Sequence, residues 1–171
     1  MRTSYGLVGS DEFNGGAPHF LYQNNISIGS ANDFWTGLPT SEINRRGPAF
    51  YVLAVQNAGW EHVKKFDIGF DMSLFNQLNI TFDYFHDKRD RILMARASWP
   101  YMLGYWGSLP WSNIGEVVNQ GYELSVNWSK QFGKDWSIDL RGNFTYNQNE
   151  YKYVDEPNYP YTWQTKTGKP L

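Results

Sequence analysis

Four carboxylates have the residue type and the spacing that acid–base chemistry requires. They are Asp67, Asp71, Asp83 and Glu123, and each stands in a run that alternates polar and apolar residues. Two carboxyl groups about 5–10 Å apart can act as general acid and base on a glycoside. A raised pKa in such a pair needs an apolar pocket, whereas these four share their side with other polar residues. We therefore predict a hydrated, carboxylate-lined surface and no enzyme.

A charged run from His86 to Arg91 could suggest metal ligands or a phosphate clamp. One histidine among two aspartates and three basic residues is better explained as a solvated strand extension with internal ion pairs. His19 and His62 have no second histidine at ligand spacing, and the chain contains no cysteine. The sequence predicts neither a metal site nor a cofactor.

Residues 95–112 are a further candidate, because this segment is rich in Trp, Tyr, Pro and Gly without a clear period. Flat aromatic rings can stack on the C–H face of a sugar ring, so the segment could contact a ligand. Alternatively, the rings pack against neighbouring loops or belong to an aromatic belt at a membrane surface. The candidate ligand-binding residues are Trp99, Tyr101, Tyr105, Trp106 and Trp111.

The elements that must position these residues are strands, because apolar residues recur at every second position. Runs over residues 66–74 and 78–84 alternate in this way and are separated only by residues 75–77, which predicts a hairpin. Residues 122–128 and 136–146 follow the same plan. Helix-spaced patterns are nearly absent. The sequence therefore predicts an all-β chain built from long hairpins.

The connections between strands are of two kinds. Residues 75–77 and 129–135 are short, whereas residues 10–60, 95–112 and 151–171 are long, irregular and rich in aromatics. Short periplasmic turns and long extracellular loops are typical of an outer-membrane β-barrel. The long runs also suit tilted membrane-spanning strands better than the strands of a soluble sheet.

The fold prediction is an antiparallel transmembrane β-barrel fragment of about five long strands, too few to close by themselves. A soluble carbohydrate-binding β-sandwich remains the alternative, because its strands alternate in the same way. No stretch approaches the length of an apolar membrane helix, and residues 1–12 lack the apolar run of a signal peptide. The net charge of -2 and the pI near 5.9 give no basic surface for nucleic acid.

Motifs in order along the chain resemble those of the SusC/RagA family of TonB-dependent transporters. Residues 57–71 are similar to the family pattern N…WE…K…DIGFD, and residues 81–93 to T.DYY…R..IL, with Phe85 in place of the second Tyr. Residues 113–123 match N.G.V.N.G.E, and residues 4–9 resemble SYG..G. Four such motifs in sequence are far more specific than any one of them.

The resemblance implies a role as well as a fold. Members form large plugged barrels in the Gram-negative outer membrane and import oligosaccharides, or in some cases peptides. A SusD-like surface lipoprotein captures the ligand, and the TonB complex acts through the plug. Residues 1–171 are then expected to be a partial barrel domain without signal peptide, plug or final strands, in contact with outer-membrane lipid.

Within that barrel, residues 113–128 are expected to descend from an extracellular loop into the wall. Gly121 is expected to form a β-bulge where the strand enters the wall. The four carboxylates, among them Glu123, would then face the lumen, while the residues that alternate with them would face lipid.

Overall fold

Seven β-strands and one short 3-10 helix form the described part of the chain. The structure is a computed structural model that describes residues 1–10, 19–37, 43–55, 57–100, 102 and 109–171. The elements are β1 (Arg2–Ser10), β2 (Asn25–Thr36), β3 (Ile43–Val52), β4 (Glu61–Leu74), β5 (Leu78–Ala95), β6 (Trp111–Phe132), β7 (Trp136–Tyr153) and the 3-10 helix (Thr162–Gln164). Over these residues, no helix has the length and apolar character needed to cross a membrane.

Five strands form one antiparallel sheet in the order β1-β4-β5-β6-β7. Strands β5, β6 and β7 are 18, 22 and 18 residues long, which is far beyond the ~5–6 residues of an average strand. The two outermost strands of this sheet, β1 and β7, do not pair with each other, so the sheet is open. The predicted all-β, antiparallel sheet of about five long strands that does not close is confirmed.

Both predicted hairpins are present. Residues 75–77 join β4 to β5, and there Phe75 and Asn76 adopt φ angles of 53° and 52°. At the other hairpin, Gly133 has a φ of 73°, a left-handed conformation that glycine adopts without steric cost. Because β6 continues to Phe132, this second turn is shorter than the connection that the sequence indicated.

Strand register turns the alternation into two unlike faces. On one face, side chains line up in rows across four strands, and one row is Phe70, Phe82, Leu124 and Phe144. The ring centroid of Tyr122 lies 5.2 Å from that of Tyr146 and 6.0 Å from that of Phe144. We call this the apolar face, and its residues are Phe66, Ile68, Phe70, Met72, Leu74, Leu78, Ile80, Phe82, Tyr84, Tyr122, Leu124, Val126, Trp128, Ile138, Leu140, Phe144 and Tyr146.

No described part of the chain covers the apolar face. Phe70, Leu140 and Phe144 keep 47 %, 58 % and 54 % of their surface exposed. No large side chain is fully buried in the described ranges. A β-sandwich would bury such side chains between two packed sheets, so this exposure argues against the soluble β-sandwich alternative.

The side of the sheet that carries the apolar face also carries charged residues, which lie past Phe66 at the end of the strands away from the two hairpin turns. Lys64 Nζ lies 2.9 Å from Asp90 Oδ2, and Lys88 Nζ lies 3.0 Å from Glu116 Oε2. Each pair bridges two adjacent strands. The surface thus changes from apolar to ion-paired within two residues on β4, from Phe66 to Lys64, and within four residues on β5, from Tyr84 to Lys88.

Residues 10–60, which the sequence pattern indicated to be irregular, contain a second, two-stranded sheet. Strands β2 and β3 pair antiparallel, with register shifts after Asn25 and after Gly29. These irregularities, together with the Gly, Asn and Pro content, hide the alternation that marks the other strands. The expectation of an irregular segment is therefore wrong for β2 and β3, although they still lie in one long connection from β1 to β4.

Gly121 is not at a β-bulge, because pairing through it is regular on both sides. A Cβ atom at this position would clash with the backbone oxygen of Tyr146 and with the ring of Phe85. Gly121 thus makes room for an aromatic ring on the neighbouring strand. The irregularity lies instead at residues 89–92, where Arg91 adopts a φ of 60°, so the expectation of a bulge at Gly121 is wrong.

Candidate functional site

The four predicted carboxylates lie together on the face opposite the apolar one. Asp83 and Glu123 are direct partners in the β5–β6 register, while Asp67 and Asp71 flank Gly69, the β4 partner of Asp83. Asp67, Asp83 and Glu123 line one concavity of about 440 Å³. We call the face of the sheet that carries these carboxylates the polar face. The residues of its carboxylate-bearing part are Arg2, Ser4, Lys65, Asp67, Gly69, Asp71, Asp83, Phe85, Asp87, Asn119 and Glu123.

Arg2 joins two of these carboxylates across three strands. Its Nη2 atom lies 2.7 Å from both carboxylate oxygens of Asp83, and its Nη1 atom lies 3.0 Å from Asp71 Oδ2. Ser4, two residues further along β1, donates from Oγ to Asp67 Oδ2 at 3.1 Å. The first strand is therefore held to the sheet by side chains as well as by its backbone ladder.

Gly69 provides the gap through which Arg2 reaches β5. A Cβ atom at Gly69 would collide with Asp83 and with the Arg2 side chain. The run Asp67-Ile-Gly-Phe-Asp71 thus places a glycine between two aspartates so that a long side chain can lie over it. Sequence reasoning missed Arg2 because it precedes its partners by 69 and 81 residues. The only local signal was the glycine itself.

Glu123 differs from Asp83, although the two are neighbours in the register. Both oxygens of Asp83 accept hydrogen bonds from Arg2, whereas the Glu123 carboxylate has no hydrogen bond or ion pair with any described residue. A general acid–base pair needs one carboxyl group kept protonated in an apolar site. Asp83 is instead ion-paired with Arg2 through both oxygens, and the neighbouring Glu123 is exposed. This arrangement is that of a surface charge network.

Asn113 connects three of the sequence motifs in space, those over residues 57–71, 81–93 and 113–123. Its Nδ2 donates to the backbone oxygens of Gly59 at 2.9 Å and Arg91 at 3.0 Å, while its Oδ1 accepts from Gly59 N at 3.2 Å. The amide therefore pairs with the backbone before β4 as a neighbouring strand would. This contact gives a structural reason for an Asn in the motif over residues 113–123.

The charged run from His86 to Arg91 pairs with adjacent strands rather than internally. Asp87 Oδ2 lies 3.8 Å from Lys65 Nζ, and Asp90 contacts Lys64 and, at 3.7 Å, His62 Nδ1. The expectation of ion pairs within the run is therefore wrong. Throughout the described ranges, no group of three or more His, Cys, Asp or Glu side chains is arranged to hold a metal ion.

Two of the five candidate aromatic residues are described. Trp99 lies in a turn after β5, where its backbone N donates to Arg96 O at 3.1 Å. Trp111 begins β6 opposite Ala95. Both side chains are half-buried. Tyr101, Tyr105 and Trp106 lie outside the described residues.

A buried carboxylate after β7 contacts the same turn. Asp155 is 6 % exposed and accepts hydrogen bonds from Arg96 Nε at 3.1 Å, from Ser98 N at 3.1 Å and from Ser98 Oγ at 2.8 Å. Desolvation by burial opposes ionisation of Asp155, but the hydrogen bonds from Ser98 and the Arg96 guanidinium outweigh it, so its pKa is lowered. The sequence carried no signal for this contact, because Asp155 and Ser98 are 57 residues apart.

The observed wall has the geometry of a membrane-spanning β-barrel. Its strands are long and antiparallel, short turns lie at one end, and one face is apolar and uncovered while the other is polar. Such a sheet satisfies its backbone groups in lipid only as part of a closed barrel. The chain therefore has the fold of part of a transmembrane β-barrel protein.

Comparison with known proteins identifies the family. The chain belongs to the TonB-dependent receptor β-barrel family, whose model, "TonB dependent receptor-like, beta-barrel", matches residues 10–171. TonB-dependent receptor P3 of Formosa agariphila is 36% identical over 150 residues, which cover 87% of this chain and 14% of that protein. TonB-dependent receptor P39 of the same organism is 27% identical over 151 residues, which cover 88% of this chain and 13% of that protein. The chain therefore spans about one seventh of the length of these relatives.

Solved structures show the same fold. A RagAB peptide importer in its open-open state superposes with a TM-score of 0.62 at 22% identity, over 89% of this chain and 15% of that chain. A second structure, of the RagAB peptide transporter, gives 0.57 at 22% identity, over 88% and 15%. The resemblance to SusC/RagA-type barrels is confirmed by the family match and by this shared fold.

Proposed function

We propose that the chain forms five adjacent strands in the wall of a TonB-dependent nutrient importer of the Gram-negative outer membrane. The observation that carries the proposal is the continuous apolar face, whose rows cross β4 to β7 without being covered by described residues. Family membership supplies the class of transporter. The rest of the barrel and the plug belong to the larger protein of which this wall is a part.

The size of the apolar face supports a membrane-spanning position. From Phe66 to Leu74, eight residue steps of ~3.4 Å give about 27 Å along the strand, or about 21 Å along the membrane normal at a tilt of about 40°. Outer-membrane barrels have an apolar band of ~25 Å. Tyr122 lies in the aromatic rows at one end of the face, and Phe75 and Trp136 lie exposed at the other. Aromatic girdles at both ends are typical of such barrels.

In this position the polar face lines the lumen. The residues facing it are then Asp67, Asp71, Asp83 and Glu123, as predicted from the alternation. Arg2 and Lys65 only partly offset the five carboxylates around the concavity (these four and Asp87). A hydrated, acidic lumen wall suits contact with a plug that the TonB complex can displace.

We propose oligosaccharides as the cargo and a SusD-like surface lipoprotein as the partner. Half-buried Trp99 and Trp111 at the loop end of the wall support sugar contact, because aromatic rings stack on pyranose C–H faces. Tyr101, Tyr105 and Trp106 are proposed to act in the same way. Peptide cargo is the competing outcome, since the solved neighbour is described as a peptide importer.

Uptake measurements test the cargo. Cells that carry the full-length transporter, with and without a functional TonB, are offered maltoheptaose, laminarihexaose, xylohexaose and a tryptic digest of casein. We expect TonB-dependent uptake of at least one oligosaccharide and a loss of apparent affinity when Trp99 is changed to Ala. Uptake of the casein digest alone would show that the cargo is peptide and not oligosaccharide. Uptake independent of TonB would contradict the proposed mechanism.

A further inference from the structure

Asp155 joins two segments that lie far apart in the chain, both beyond the loop end of the strands. One segment follows β7, and the other is the turn over residues 96–100 that follows β5. The carboxylate contacts the guanidinium, a backbone N–H and a hydroxyl of that turn, which are three kinds of donor. One side chain thus makes an ion pair with Arg96 and hydrogen bonds with Ser98 that link the two segments.

The contacted turn also carries one of the candidate ligand-binding aromatics. Arg96 N donates to Pro110 O at 2.8 Å, which closes the base of the β5–β6 connection. Trp99 N donates to Arg96 O at 3.1 Å, so Trp99 occupies the end of the turn whose start and middle are bound by Asp155. Asp155 is therefore hydrogen-bonded to the residue that immediately precedes Trp99.

We infer that Asp155 is a positioning residue, which locks the turn at residues 96–100 and the segment after β7 into one rigid rim and so fixes Trp99 over the barrel wall. Separating the two segments would break the ion pair with Arg96 and the hydrogen bonds with Ser98, and hydrogen bonds to a charged group are the stronger kind. The two segments thus move together and not as independent lids. The role assigned to Trp99 in ligand contact rests on the proposed function.

Hydrogen exchange in the full-length transporter tests the lock without any ligand. In D155A we expect amide exchange at residues 96–99 to rise on the order of tenfold or more, since a hydrogen-bonded buried charge is lost. The matched control is E156Q, because Glu156 binds Lys166 N within its own segment and does not contact the turn. Unchanged exchange in D155A, or an equal rise in E156Q, would overturn the inference.

A covalent bridge separates positioning from direct contact with cargo. The chain has no cysteine, so Ser98→Cys with Asp155→Cys introduces one thiol pair, which a short bis-methanethiosulfonate reagent can bridge and dithiothreitol can release. We expect the bridged protein to regain wild-type exchange and wild-type affinity for the oligosaccharide that is taken up, and to lose both on release. Failure of the bridge to restore exchange contradicts the lock.

The two proposals fail in different ways. If no oligosaccharide binds the wild-type transporter but exchange responds to D155A and to the bridge, the cargo assignment is wrong and the rigid rim stands. If an oligosaccharide binds wild type and D155A with equal affinity while exchange rises in D155A, the claim that the rim fixes Trp99 for the ligand is overturned.

Discussion

The Nη2 atom of Arg2, on the first strand of the sheet, lies 2.7 Å from both carboxylate oxygens of Asp83, two strands away. The contact passes over Gly69 on the intervening strand, and Arg2 also holds Asp71 through its other nitrogen. A single side chain thereby links β1, β4 and β5 on the polar face. The backbone ladder provides the sheet, and this network attaches its outermost strand more firmly.

Removal of the guanidinium should loosen β1 specifically. In the full-length transporter, Arg2→Met is expected to increase amide exchange across Arg2–Ser10, because the ion pairs to Asp71 and Asp83 are lost while the ladder remains. The control is Arg141→Met, since Arg141 also lies on the polar face but has no ion pair with a described residue. Equal exchange in the two variants would show that Arg2 does not hold the strand.

Gly121→Ala is expected to destabilise the wall, and Gly142→Ala is not. A Cβ at Gly121 meets the backbone oxygen of Tyr146 and the Phe85 ring, so the free energy of unfolding should fall by about 1–3 kcal/mol or more. A Cβ at Gly142 meets nothing within 4 Å. Urea titration of the refolded transporter, followed by the folded band on unheated gels, measures both. A neutral Gly121→Ala would mean that Phe85 does not occupy the space.

Asn113→Ala should detach residues 57–60 from the start of β6. Three hydrogen bonds to Gly59 and Arg91 are lost, two of which leave partly buried backbone groups unpaired, at a cost of about 1–3 kcal/mol. Proteolytic cleavage near Trp60 reports the local opening. Asn127→Ala on the same strand serves as the control, because Asn127 is exposed and its side chain has no hydrogen bond with a described residue. Indistinguishable cleavage of the two variants would contradict the role of Asn113.

The lock at Asp155 should weaken in acid. Its pKa is lower in the folded protein than in the unfolded chain, so its stabilising contribution is present above the unfolded value of ~3.9 and is lost as pH falls through the folded value. The protection of residues 96–99 against amide exchange should therefore stay constant near neutral pH, where Asp155 remains ionised, and fall below about pH 4. In Asp155→Asn that acid-dependent step should be absent. A step that persists in the variant would have to be assigned to another group.

Local patterns predicted the parts of the fold whose information is local. Period-two alternation located β4 to β7, and the spacing between runs located both hairpins. Aligning those runs placed the four carboxylates on one face, because a one-residue slip would move every side chain to the opposite face. Strands β2 and β3 were not predicted, because register shifts interrupt their alternation of polar and apolar residues.

Contacts between distant residues could not be read from the sequence. Arg2 and Asp155 are single charged residues whose partners lie between 57 and 81 positions away. Gly121 was misinterpreted because a glycine in a strand indicates either a bulge or a close approach, and only the neighbouring strand distinguishes them. Tertiary register therefore decides which polar residues form a network.

The surroundings of the two faces test the central claim most directly. Spin labels are placed singly at Phe70, Phe82, Leu124 and Leu140 of the full-length transporter in lipid bilayers, with polar-face controls at Asp71, Thr81, Ser125 and Asp139. We predict that oxygen dissolved in lipid strongly enhances the relaxation of the labels at the four apolar-face positions, while a water-soluble nickel complex does not. The labels at the four polar-face positions should lack this preference for oxygen. Immobile labels at the first four positions, inaccessible to both reagents, would show a packed protein core and contradict the membrane wall.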